Sequence, residues 1–213
     1  AKGPLDPQYL ELVAAAPSQT LISPTAGNVG GFPITPGAYQ SVMAADTMTK
    51  GAAGGCTNNI IKAYELFGTR DLTVTKYTGT FSGLQYSTLL GGFGQEAVSN
   101  MGVDTDGKVY LHGIDRDNLS CNERYPTTLG ALRNDTPTNT PDFGENVFFT
   151  ILNETGTDLC YSTLLSEDES VKRLTLRMIL SSSNEVTLAA SSLSASHMGT
   201  TNAFQSSSAN GGS

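Results

Sequence analysis

The stretch Asn146–Leu180, NVFFTILNETGTDLCYSTLLSEDESVKRLTLRMIL, constrains the fold more than any other part of this chain. It holds three apolar runs of strand length, Val147–Leu152, Leu159–Leu165 and Val171–Leu180. The first two are separated by the turn-forming cluster Asn153–Asp158, and the last two by the acidic loop Ser166–Ser170. Runs rich in β-branched and aromatic residues, joined by a short polar segment containing Gly, predict a β-hairpin. The third run extends the prediction to a three-stranded meander.

The same signal recurs upstream. Asn59–Leu66, Leu72–Tyr77, Thr80–Leu90, Ala97–Val103 and Lys108–Ile114 carry Ile, Val, Thr, Tyr and Leu between turn residues. Asp71–Thr75 alternates with Leu72 and Val74 on one face, and Asp106-Gly107 between two apolar runs predicts another hairpin. Val186–Ala190 adds a late strand. A helix is expected only at Asp6–Ala15, where Asp6 can cap, Pro7 suits the first turn, and Leu10, Val13 and Ala14 follow at helical spacing. The fold class expected is therefore all-β: an antiparallel β-sandwich, read as an eight-stranded jelly roll, with one short N-terminal helix and extended arms. Residues 1–55 read as helix and arm, 56–190 as the sandwich core, and 191–213 as a Ser/Ala/Gly-rich flexible tail. Arg116–Gly144, rich in Asn, Asp, Thr and Pro, reads as a crossover or surface excursion.

Composition bounds the function. Charged residues make up 15% of the 213, against roughly 25% in an ordinary soluble domain. The polar surface is thus mostly hydroxyl and amide, as in secreted proteins, shells and filaments. The net charge of −8 opposes a dedicated nucleic-acid surface. Alternation splits the tightest basic group, placing Arg173 and Arg177 on one face and Lys172 on the other. No apolar run is long enough for a membrane-spanning helix. Cys56, Cys121 and Cys160 are odd in number, and no spacing selects a disulfide or a zinc site. The absence of an initiator Met fits a processed chain or a portion of a longer one.

No nucleophile elbow, zinc-protease motif or phosphate loop is present, and Gly91–Gln95 lacks the Lys and Ser/Thr of a phosphate cradle. The chain does not read as an enzyme. His112 shares a strand face with Tyr110 and reads as a partly exposed strand histidine rather than a base; His197 lies in the tail. The most suggestive carboxylates are Asp104, Asp106, Asp115 and Asp117, two Asp-x-Asp pairs flanking one strand. They form a candidate calcium set, set against ordinary Asp-rich turns; Asp115 stands where an EF-hand loop would carry its last Glu. Asn118, Asn134 and Asn153 begin N-glycosylation sequons.

Gly3-Pro4-Leu5-Asp6-Pro7-Gln8-Tyr9-Leu10, a Pro/Gly-rich arm, about eight strands, and a closing Leu174–Met178 strand before a Ser/Ala-rich tail resemble the shell domain of small icosahedral RNA virus coat proteins. The resemblance is one of layout plus a short opening. It implies a jelly-roll subunit that assembles with itself into a virion shell, with Asn202-Ala203 as a formal match to the maturation cleavage of some such coats. The family's basic N-terminal arm is missing, so nucleic-acid contact would need a basic arm before residue 1. Two other readings compete. One is an extracellular filament or adhesin subunit completed by strand exchange through Thr20–Val42 or the tail. The other is a secreted carbohydrate-binding sandwich stacking sugars on Tyr64, Tyr77, Tyr86 and Tyr110.

Overall fold

A computed structural model describes residues 9–15, 33–43, 70–92, 95–115, 125–134, 146–165 and 177–189, the first of these segments as backbone only. Within them the chain is all-β and the strands pair antiparallel. Strands β1 (Tyr9–Ala15), β2 (Leu72–Thr78) and β3 (Leu84–Leu90) form one sheet in that order. Strands β4 (Glu96–Val103), β5 (Val109–Asp115), β6 (Asn146–Leu152) and β7 (Leu159–Leu164) form a second. A hairpin of β8 (Arg177–Leu180) and β9 (Val186–Ala189) makes a third.

Alternation explains how these layers stack. Leu72, Val74, Tyr86 and Leu90 from the first sheet pack with Val109, Leu111, Phe148, Leu152 and Leu164 from the second, and Tyr125 joins them. The opposite face of the second sheet presents Tyr110 and Phe149, which pack with Met178 of β8, flanked by Leu180, Val186 and Leu188. Gly102 of β4 leaves room for that hairpin, since a Cβ there would stand 3.3 Å from Leu180 Cδ2. β5 and β6 are thus covered on both faces, which is why their burial is nearly continuous.

Two expectations change. Tyr9–Ala15, within the span that reads as helical, runs as a strand whose backbone pairs with β2 from Tyr9↔Thr78 to Ala15↔Leu72. That ladder satisfies the edge of β2, and tertiary pairing outweighs weak local spacing; Asp6 and Pro7 lie outside the described residues. Among the described residues the third run of the expected meander is represented by Arg177–Leu180, which pairs with β9. His112 is fully buried, because the layer that covers its face of β5 leaves no signal in the strand's own alternation.

The first two sheets are joined at one corner. Glu96 N donates to Arg70 O at 2.9 Å, within a parallel bridge between Arg70 and Gln95. At the opposite end Lys76, buried on β2, sends Nζ to Gly107 O at 3.3 Å in the β4–β5 turn and lies over the Tyr86 ring.

Candidate functional site

The chemically densest place among the described residues is the joined corner. In the second sheet, Glu96, Asp115 and Asn146 stand in one register row, since Glu96 pairs with Asp115 and Asp115 with Asn146. Asp115 shares the inner parity of Val109 and Leu111, so the row faces the first sheet. Asp71, the residue before β2, meets it from the other side. Asp71, Glu96 and Asp115 are 0–1% exposed, and this decides their chemistry, because no solvent dielectric remains to screen three carboxyls.

Backbone and amide groups shape the corner. Gly92 N donates to Glu96 Oε1 at 2.9 Å, and Gly91 N donates to Gln40 Oε1 at 3.0 Å. The Gln40 amide donates in turn to Asp71 Oδ2. Gly91 is required there: a Cβ would stand 2.6 Å from Glu96 Oε2 and 2.9 Å from Asp71 Cγ, so the two carboxyls flank its Cα. Neither Asp115 oxygen nor Glu96 Oε2 meets a donor in good hydrogen-bond geometry among the described residues.

These surroundings favour the neutral acid. Burial pushes the Asp115 carboxyl up from 3.8 to about 7, with the neighbouring Glu96 and Asn146 side chains partly countering it. Burial also raises Glu96 well above the carboxylate range, and the charges of Asp115 and Asp71 act in the same direction. Like charges directly opposite on adjacent strands repel, so the pair is accommodated by retaining protons.

Tyr125 borders the cluster. Its ring stacks on Phe148 at 4.4 Å between centroids, and its hydroxyl lies 2.9 Å from Thr150 Oγ1. Burial raises its pKa first, and Glu96 and Asp115 add to the effect. From Thr150 the chain of hydroxyls continues to Ser162 Oγ, which donates to Pro126 O at 2.6 Å.

Tyr125 also begins a loop, residues 125–134, bound along the free edge of β7. Thr128 N donates to Ser162 O, Ser162 N to Thr128 Oγ1 and Arg133 N to Thr163 Oγ1, each at 3.0 Å. Leu164 N donates to Arg133 O at 3.1 Å. Between these anchors the turn at Leu129-Gly130 holds Leu129 fully exposed, and Leu132 is 68% exposed. The Arg116–Gly144 excursion thus contains a fixed apolar projection.

The sequence-derived carboxylates are not brought together. Asp104 closes the β4–β5 turn: Oδ1 accepts from Asp106 N and Lys108 N at 2.9 Å, and Oδ2 accepts from Tyr110 OH at 3.2 Å. Asp106 pairs with Lys108 in solvent at 3.5 Å. Asp115 is at the far end of β5, about 20 Å away at the usual rise per residue. Asp117 lies outside the described residues, among which no group of three or more His, Cys, Asp or Glu side chains is arranged to hold a metal.

The other candidates are similarly placed. His112 has neither ring nitrogen hydrogen-bonded among the described residues, and burial lowers its pKa. Tyr86 and Tyr110 are buried and Tyr77 packs against Phe81; Tyr64, His197, Cys56 and Cys121 lie outside the described residues. Cys160 is a free, exposed thiol. Asn153 is engaged in its own turn, Oδ1 accepting from Thr157 N at 2.9 Å and Nδ2 donating to Thr157 Oγ1 at 2.9 Å.

No family model, curated protein or solved structure matches the chain.

Proposed function

We propose that this chain is a structural subunit that assembles with copies of itself and, in the finer form of the reading, a jelly-roll coat subunit of a viral shell. The observation that carries the self-assembly reading is the loop 125–134. Its backbone is fixed to β7, so Leu129 and Leu132 are displayed without a folding cost at the moment of contact. Burying each in a neighbour contributes on the order of 1.5–3 kcal/mol. The densest polar cluster among the described residues is buried, which fits a structural role better than a catalytic one. The shell form rests on the resemblance in layout and on the weakly charged composition.

Native mass spectrometry and negative-stain microscopy of the purified chain test this. Closed particles are expected, and the double substitution Leu129→Asp with Leu132→Asp shifts them to free subunits while far-ultraviolet circular dichroism stays unchanged. Fibres would favour the strand-exchange filament. A monomer at every concentration, or particles indifferent to the double substitution, would overturn assembly through this loop.

A further inference from the structure

We propose that the Asp71–Glu96–Asp115 cluster is a proton-operated clasp between the two main sheets, closed when it holds protons and forced open when they leave. Its position gives it that role. Asp71 belongs to the first sheet's side and Glu96 and Asp115 to the second's, and the Glu96 N to Arg70 O bond crosses the same corner. Repulsion between Asp71 and Glu96 therefore acts across the seam, and repulsion between Glu96 and Asp115, on adjacent strands of the second sheet, adds to the charge that Glu96 presents to it. Gly91 lets Glu96 and Asp71 converge, and its own N–H is held by Gln40. Among the described residues Glu96 Oε2 meets no well-placed donor, and the Asn146 side chain offsets the burial of Asp115 only in part. Two like charges brought together in such an interior repel far more strongly than they would in water.

The titratable groups acting on Glu96 are Asp115 and Asp71, and Tyr125 faces the cluster from the loop beside β7. Asn146 is the polar neighbour on β6. His112 occupies the other face of β5 and works in the opposite sense, since its lowered pKa means that acid, not base, opposes its burial.

For Asp115, the folded chain holds its proton more tightly than the unfolded chain does. Its contribution is fully present below the unfolded value of 3.8 and is lost as pH rises to about 7. This behaviour is the reverse of that of a carboxylate engaged in a salt bridge.

The test is urea unfolding of the full chain and of Asp115→Asn, a neutral side chain of the same shape, at a series of pH values. The folding equilibrium constant of the native chain relative to the variant should fall about three hundredfold between about pH 4 and about pH 7. Comparison with the variant cancels His112 and all distant groups. Hydrogen exchange at Glu96 N should accelerate over the same range by more than intrinsic exchange chemistry requires. If Asp115→Asn does not fold, Glu96→Gln gives the same comparison with the same expected sign. The exchange profile of the native chain reads the seam without any variant. A ratio independent of pH, or one that rises with pH, overturns the proposal. So does exchange at Glu96 N that follows intrinsic chemistry alone.

Discussion

The two ends of strand β5 carry the same kind of residue and use it in opposite ways. At one end Asp104 and Asp106 sit in a tight turn, where Asp104 accepts two backbone N–H groups and a tyrosine hydroxyl. At the other, Asp115 points into the core beside Glu96, with burial favouring its neutral form. The sheets are tied at both ends as well, by Lys76 Nζ on Gly107 O near the turn and by the Glu96 N to Arg70 O hydrogen bond at the corner. Residue type therefore does not decide what a carboxyl does here. The available donors differ: Asp104 accepts from N–H and O–H groups, whereas Asp115 meets another acid and burial favours its neutral form.

Substitutions at the two ends should differ accordingly. The largest effect is expected for Gly91→Ala at the corner, whose new methyl meets the buried carboxyls of Glu96 and Asp71 at 2.6 and 2.9 Å and must displace them. A loss of about 2–3 kcal/mol in urea-derived stability is expected; a loss below about 0.5 kcal/mol would show that the corner is loosely packed. Asp104→Ala comes next, costing about 1–2 kcal/mol because it frees two turn amides and leaves the Tyr110 hydroxyl without its acceptor. Pairing it with Tyr110→Phe should recover part of that loss, and full additivity of the two would break the assigned contact. Least is expected of Asp106→Asn, which removes only an exposed ion pair with Lys108. Its melting temperature should equal that of the native chain, and a clear drop would mean that the turn depends on that charge.

The sheet was legible in the sequence because strand periodicity and turn chemistry agreed. The β6–β7 hairpin and the Asp-Gly turn between β4 and β5 stand where the pattern put them. The corner was not legible, and the reason is a single residue at each boundary. Reading β4 from Ala97 and β5 to Ile114 stops each strand one position short of Glu96 and Asp115, because acidic residues at strand ends resemble turn formers. Extending the alternation of Val109 and Leu111 to Asp115 would have placed its carboxyl on the core face. Its partners Asp71 and Gln40 are distant in sequence and carry no local signal. The burial of His112 had a different obstacle: its strand's alternation carries no signal that its face, shared with Tyr110, is also covered.

The most direct test of this contrast is to follow the side-chain carboxyl carbon of Asp115 by nuclear magnetic resonance through a pH titration of the folded chain. The resonance should remain that of a protonated acid at about pH 5 and move to the carboxylate position near the 7 expected for this site. An Asp115 already ionised at about pH 5, with the native fold intact, would contradict the account of the corner.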